Sequence, residues 1–380
     1  MKLPYENFPQ RPAWTEVDLG QLRRNLKLIR RDLPAAVKLL AVVKDEAYGH
    51  GALDVARIAL EEATHLRDAG ITAPLLLLGE RQEAELEWCV AHEFTVCVNE
   101  PHNVRSLARL ATSFEKRVPV HLKVNTGMSR YGVRWDEAGP LIEQILAEKS
   151  LLLEGVMTHF AQSDETDRTF AGVQLARFKQ VLDLLDRLKA PVSLRHCCNS
   201  GGLLDLPQAH LDMVRTGLLI HGVYPSPACR RIPGIEPVMS VKARIAGIQK
   251  LKPGEVAGYG MRYTAPGERR VAVLPVGYGD GFPRVANDGA ALIHGRRAPL
   301  VGRVAMDAFT VDITDIPQAQ MWDEAVIMGR QGGEEISAHE IARLKNSIAY
   351  DVLTNWRLRL KRKSVNARAG APEKQMAVAS

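Results

Sequence analysis

The chain has 380 residues, 46% of them apolar and 25% charged, with a formal net charge of +6 and a sequence pI near 9.0. That length exceeds one small core and implies two domains, and the composition excludes disorder over most of the chain. No apolar run approaches the roughly 20 residues of a membrane helix, and the opening MKLPYENFPQRPAW holds no signal-peptide core, so no membrane association is expected.

Five cysteines, an odd number without metal-ligand spacing, point to a reducing compartment, taken as the cytoplasm, and to no bound metal. The adjacent Cys197 and Cys198 read as small apolar residues. Basic residues are dispersed, and the densest run, RLRLKRK (357–363), is expected to be a solvated strand or chain end. With no zinc finger or RNA-binding aromatic motif beside it, nucleic acid is not an expected partner.

Strands are predicted in chain order at LLAVV (39–43), PLLLLG (74–79), FTVCV (94–98), PVHLKVN (119–125), LEGVMTHF (153–160), VSLRHCCN (192–199) and VRTGLLIHG (214–222). They are nearly continuously apolar, as parallel strands buried on both faces should be. Amphipathic helices fall between them, such as 168–188 with its stripe of Phe170, Leu175, Phe178, Val181, Leu182 and Leu185. The alternation fits an open doubly wound sheet or a (β/α)8 barrel. No GxGxxG or Walker motif is present, and polar residues interrupt the pattern at strand C-terminal ends: Lys44, Asn125, His159, Asn199 and Arg215. A barrel builds its active site there, so the barrel is the expected fold.

From about residue 236 short β-like runs follow one another across Gly, Pro and Asp turns, as in a mostly antiparallel β domain. A helix is predicted over 337–347, with Ser337 as N-cap and Glu340 at the capping-box position. The expected domains are 10–235 (α/β, a (β/α)8-type TIM barrel), 236–363 (β) and a disordered tail, 364–380.

Within KDEAYGHG (44–51), Lys44 reads either as a snorkelling side chain or as an amine desolvated enough to form a Schiff base with an aldehyde. Tyr48 adds a hydroxyl able to meet a phosphate. HCCNSGG (196–202) places Asn199, Ser200 and two glycines after a strand, and Gly217 follows Arg215. Taken singly, each reads as a turn or a surface ion-pair residue. Together they would serve one phosphorylated cofactor.

AVVKDEAYGHG, LKVNTGMSRYGV, GVMTHFAQSDE, HCCNS, MVRTGLLIHGVYPS, AGYGMRYTA, LPVGYGDGF and VGRVAMDAFTVDIT, in this order and at this spacing, resemble the alanine racemase family over almost the whole chain. The resemblance implies pyridoxal 5'-phosphate on an N-terminal (β/α)8 barrel, a C-terminal β domain, and a head-to-tail homodimer in which each site is completed by the partner's β domain. It implies interconversion of L-alanine and D-alanine, supplying D-alanine for peptidoglycan. By the same resemblance Lys44 is the Schiff-base lysine. Tyr48, Ser200, Gly217 and Leu218 contact the phosphate, with Asn199 beside them. His159 lies next to the cofactor ring, and Arg130 near the phenolic oxygen and the substrate carboxylate. Lys123 matches a lysine that is carbamylated in some members and orients that arginine. Tyr259 is the second base, Met306 and Asp307 meet the substrate from the partner chain, and Tyr278 lines the access channel.

Racemisation removes the α-proton from one face and returns one to the other, so two bases on opposite faces suffice: Lys44 and Tyr259. Arg215 matches an arginine facing the pyridine nitrogen. Arginine stays charged and cannot stabilise a protonated ring nitrogen, which weakens the electron sink and favours racemisation over transamination.

The chain departs from the family in four places. Asp45 and Glu46 follow Lys44, where members commonly carry a small residue and then Asn or Asp; both acids are expected to point into the loop and solvent. One helix, ALDVARIALEEATHLRDAG (52–70), is predicted to run directly to the strand at 74–79, which would leave the barrel one strand short. His221 stands where a tyrosine is usual, and Leu358 where some members place another phosphate-binding tyrosine. Alternatives on the same residues are a serine or broad-specificity racemase and a catalytically impaired, cofactor-binding homologue. A basic-amino-acid decarboxylase fits less well, because VAMDAF and Tyr259 replace that group's cysteine-and-aspartate signature.

Overall fold

The computed structural model describes residues 11–51, 74–79, 81–357 and 359–367. The first strand, β1 (Ala13–Asp18), leads into a helix over Leu19–Asp32 whose N-cap, Asp18, accepts from the Gln21 N–H at 2.8 Å. The parallel strands follow: β2 (Lys38–Ala41), β3 (Leu76–Leu77), β4 (Thr95–Val98) and β5 (Val118–Asn125), with a short β6 (Val133–Arg134) at its side. Then come β7 (Leu151–Met157), β8 (Leu194–His196) and β9 (Met213–Thr216).

β3, β4, β5, β7 and β8 form one parallel ladder, and β2 pairs in parallel with β9. Backbone bonds join β8 to β9, from Arg215 N to Cys198 O at 2.9 Å and from Asp212 N to Arg195 O at 3.1 Å, so the sheet curls toward a barrel. The seven strands on which the barrel expectation rested are all present in parallel array. No strand lies between β2 and β3 among the described residues, and the helix expected over 52–70 falls outside them.

Helices cover the sheet with the predicted periodicity. In Thr169–Arg187 the buried face is Ala171, Leu175, Phe178, Val181, Leu182 and Leu185; only Phe170 of the expected stripe stays half-exposed. These residues join Leu22, Ile29, Leu107 and Ile142 in one apolar core.

A second core, with Val241, Leu292, Phe309 and Val326, lies inside a mostly antiparallel sheet. β1 belongs to that sheet, antiparallel to Met239–Arg244 and parallel to Lys361–Val365. The expected first domain therefore begins with a strand that serves the second. Its burial explains this: Ala13, Trp14, Thr15 and Val17 are all covered, on both faces of the strand. Strand pairing also carries Ser364 and Val365 past the expected start of the tail, with Leu360 buried ahead of them. Ser337 caps the helix Ala338–Lys345 as predicted, accepting from Glu340 N at 3.1 Å, but the Glu340 carboxylate turns to Arg297 at 2.8 Å instead of completing a capping box.

Candidate active site

β2 ends at Ala41, and Lys44 then opens a turn in which Asp45, Glu46, Ala47 and Tyr48 all adopt the left-handed conformation, with φ between 51° and 55°. Such a conformation costs about 1–2 kcal/mol per non-glycine residue and persists only where its surroundings dictate it. Gly51 N donates to Glu46 O at 2.8 Å, and the His50 Nδ1–H is shared by the carbonyls of Ala47 and Tyr48, both at 3.0 Å. Gly49, at φ 81°, leaves no room for a side chain, because a Cβ would fall 2.3 Å from the Leu353 carbonyl. The turn exposes Lys44, Asp45 and Glu46 and buries Tyr48, so both acids face outward as expected.

Tyr48 lies edge-on to His221 and Tyr350, with ring centroids 5.8 and 5.9 Å away. Burial, reinforced by Asp45, pushes its hydroxyl up to about 12, which keeps it a proton-bearing donor at neutral pH. Gly217 sits beside the hydroxyl, and its N–H donates to Ser200 Oγ at 3.2 Å. Ser200 starts the short helix Ser200–Asp205, whose N-cap, Asn199, accepts from Gly202 N at 3.0 Å and from Ser163 Oγ at 2.7 Å. Leu218 begins the 3-10 turn that follows Gly217 and is fully buried. Hydroxyl and amide groups from three separate elements thus converge.

Arg215 is buried on β9. Its guanidinium donates to Thr158 O (2.9 Å), Cys197 O (3.1 Å), His196 Nδ1 (2.9 Å) and His159 Nδ1 (3.2 Å). Guanidinium only donates, so both Nδ1 atoms are acceptors and both rings carry their proton on Nε2. Desolvation, then the charges of Arg215, Arg130, Lys123 and Lys44, holds His159 well below the usual imidazole range. It stays neutral beneath this cluster of cations.

His159 also lines a small cleft with Lys123, Asn125, Arg130 and Tyr131. Lys123 is buried, donates to Leu78 O at 2.8 Å, and lies 5.1 Å above the Tyr131 ring. Lys44, Tyr48, Lys123, Arg130, His159, Asn199, Ser200, Arg215, Gly217 and Leu218 therefore all lie at or next to the C-terminal ends of the parallel strands.

Tyr259, Tyr278, Met306 and Asp307 stand on the second unit. Tyr278 N donates to Ala305 O at 3.1 Å and Gly279 N to Met306 O at 2.7 Å. Asp280, fully buried, accepts from Gly277 N at 2.9 Å and pairs with Arg11, which also donates to Asp307 O at 2.8 Å. Arg11 was not anticipated, and nothing in the local sequence marks it. Tyr259 is 73% exposed and Met306 56%, uncommon for such side chains without a covering surface.

Leu358 lies outside the described residues. His221, in place of the usual tyrosine, is buried and stacked on His50 at 3.9 Å. Among the described residues, neither of its ring nitrogens has a hydrogen-bond partner, nor does His50 Nε2. His121 and His196 were not singled out from the sequence, although each breaks an apolar strand. All five cysteines are buried and free, and no helix among the described residues is long and apolar enough to cross a membrane.

The N-terminal domain of alanine racemase matches residues 17–225, and its C-terminal domain residues 238–364. The chain is 36% identical over 373 residues to the alanine racemase of Halothermothrix orenii, covering 95% of this chain and 98% of the other. It is 38% identical over 353 residues to that of Syntrophobacter fumaroxidans, covering 90% and 94%. The solved alanine racemase of Clostridium difficile superposes with a TM-score of 0.86 at 31% identity, covering 94% of this chain and 97% of that one. The Bacillus anthracis enzyme with bound L-Ala-P gives 0.85 at 31% identity, covering 96% of both. The chain belongs to the alanine racemase family, isomerases that use pyridoxal phosphate to interconvert L- and D-alanine.

Proposed function

We propose that the chain racemises alanine with Lys44 and Tyr259 as its two bases, within a homodimer in the cytoplasm that supplies D-alanine for the cell wall. The observation that carries the site assignment is the convergence of Tyr48, Ser200 and Gly217 at the end of the turn that Lys44 opens. A Cβ on Gly217 would fall 2.4 Å from Tyr48 Oη, so this glycine lets the Tyr48 phenol come up beside its own backbone N–H and the Ser200 hydroxyl, giving a rim of two hydroxyls and one N–H. Such a rim suits the phosphate of pyridoxal phosphate, and Lys44, exposed at the start of the same turn, suits its aldehyde.

When bound, the cofactor supplies an electron sink that makes the α-proton of alanine removable. The chain's own residues do the rest. Lys44 takes or returns a proton at the α-carbon from one face. Tyr259, exposed on the second unit, is the matching base from a second copy. Arg130 holds the substrate carboxylate, with Lys123 beneath it in the same cleft. Arg215 donates to four acceptors and does not give up its charge, so it would limit how far a bound ring acts as an electron sink. Met306 and Asp307 bound the substrate, and Tyr278 lines the approach.

The test is exchange of the α-proton of L-alanine in deuterated water with added pyridoxal phosphate, following optical rotation in the same sample. Exchange with loss of rotation is expected. Cofactor binding with neither would overturn the reading, and a faster reaction with serine would reassign the substrate.

A further inference from the structure

Arg215 fixes more than its immediate neighbours. Its Nη1 donates to His196 Nδ1, so the His196 proton sits on Nε2 and is given to His121 Nδ1 at 2.8 Å. His121 Nδ1 is then an acceptor, and its own proton lies on Nε2, facing Glu154 Oε2 at 3.4 Å. Guanidinium, imidazole, imidazole and carboxylate form one chain in which every proton points the same way. Both imidazoles are buried, and the Glu154 side chain is 30% exposed.

The arrangement is built in, because Gly155, the neighbour of Glu154, has no side chain where His121 lies. A Cβ there would come within 2.5 Å of the His121 ring. His121 and Gly155 are direct partners across the β5–β7 ladder, at the point where the register shifts. His121 interrupts an apolar strand, and its two ring nitrogens face His196 and Glu154. Its hydrogen bond holds Glu154 below the usual carboxylate range against the opposing effect of burial, so the chain ends on an acceptor-only anion.

We propose that Glu154 is a positioning residue: its carboxylate accepts the last proton of this chain and so, through His121 and His196, holds the Arg215 guanidinium in place against His159 and the cofactor ring. This rests on the reading that Arg215 faces the ring nitrogen. The guanidinium admits only one order of donors, and the anion at the far end takes the one proton that this order leaves over. Reversing it would put an N–H of His196 against an N–H of Arg215, leaving a buried donor without an acceptor.

The experiment uses the full chain with 15N-labelled histidine and three variants, Glu154→Gln, Glu154→Leu and Glu154→Asp. In the cofactor-free parent, His121 and His196 should each show a single Nε2–H tautomer by NMR. Leu leaves the His121 Nε2–H without an acceptor and Gln offers it only a neutral one, so both variants should shift the His121 Nε2 and attached-proton signals, while the tautomer, fixed from the Arg215 end, is kept. Asp keeps the charge and should restore signals close to those of the parent. With pyridoxal phosphate added, Gln and Leu should lower kcat about tenfold with KM within about twofold, and raise abortive transamination per turnover several-fold.

Unchanged histidine signals in both Gln and Leu variants would overturn the directed chain. Altered signals with parental kcat and transamination would overturn the positioning role. A parent that binds no pyridoxal phosphate would instead remove the site reading on which that role rests, while the cofactor-free spectra still decide the chain.

Discussion

Gly217 lies against the phenol of Tyr48 so closely that one added carbon would occupy the hydroxyl's place, 2.4 Å from the oxygen. The two residues follow β2 and β9, the first and last parallel strands along the chain, which pair with each other and so bring the turns after them together. Gly217→Ala should therefore move Tyr48, weakening pyridoxal phosphate by at least about tenfold and stability by about 1–3 kcal/mol, the usual range for overpacking. Tyr48→Phe keeps the packing and removes one hydrogen bond, so it should cost about 1 kcal/mol of cofactor affinity and little stability. Fluorescence titration with the cofactor, paired with urea unfolding, separates the two effects. Equal affinity in both variants and the parent would remove Tyr48 from the phosphate site.

Tyr259 stands on a 3-10 turn, Tyr259–Met261, that projects from the second unit with Met261 70% exposed. Replacing it with phenylalanine leaves the fold alone, since the hydroxyl meets solvent. If it is one of two bases, Tyr259→Phe should lower racemisation by about 100-fold or more, in the range of a lost general base. Exchange of the α-proton should persist from one enantiomer only, because Lys44 still serves its own face. Exchange of both enantiomers at parental rates would exclude Tyr259 as a base.

Arg11 holds the Tyr278 turn and Asp307 together through the buried Asp280 and the Asp307 carbonyl. Arg359, 3.5 Å from the same carboxylate, is a weaker second partner. Arg11→Met should destabilise the second unit by about 3 kcal/mol, the scale expected when a buried carboxylate loses its closest cation. It should also raise KM more than it lowers kcat, because the residues displaced line the approach to the site. Unfolding curves and steady-state kinetics on one preparation check both.

The sequence made some of this legible and hid the rest for a physical reason. Lys44, Tyr48, Ser200 and Gly217 each sit in a short run where a strand gives way to a turn, so local pattern and spacing marked them. Arg11, His121 and Glu154 act only through contacts with residues distant in the chain, and no local pattern reports such a partner. β1 was not among the predicted strands for the same reason: its parallel partner, Lys361–Val365, lies at the other end of the chain. Glu340 shows a local rule yielding to a tertiary one, since the box position was right but Arg297 offered its carboxylate a charged partner. Neither acid after Lys44 turned inward, because the left-handed turn directs both to solvent.

His50 and His221 give the site a defined acid limit. Burial, opposed by the Ala47 and Tyr48 carbonyls and reinforced by Arg362, lowers His50 to about 4. Burial and the neighbouring His50 lower His221 well below its ordinary value. A histidine depressed on folding takes up its proton more readily in the unfolded chain. Its contribution is therefore complete above the ordinary value of about 6.5 and falls as pH drops toward the folded value. For His50 alone, the interval from about 6.5 to about 4 corresponds to roughly 3 kcal/mol at 1.36 kcal/mol per unit. His221, His159 and His196, lowered in the same direction, extend the loss to lower pH. Urea unfolding should show near-constant stability from pH 8 to 7 and a decline of about 2 kcal/mol or more by pH 5. His50→Asn retains an N–H for the Ala47 and Tyr48 carbonyls but does not titrate, so it should start less stable and decline less steeply. An identical slope in that variant would show that His50 does not set the acid limit of the turn that carries Lys44 and Tyr48.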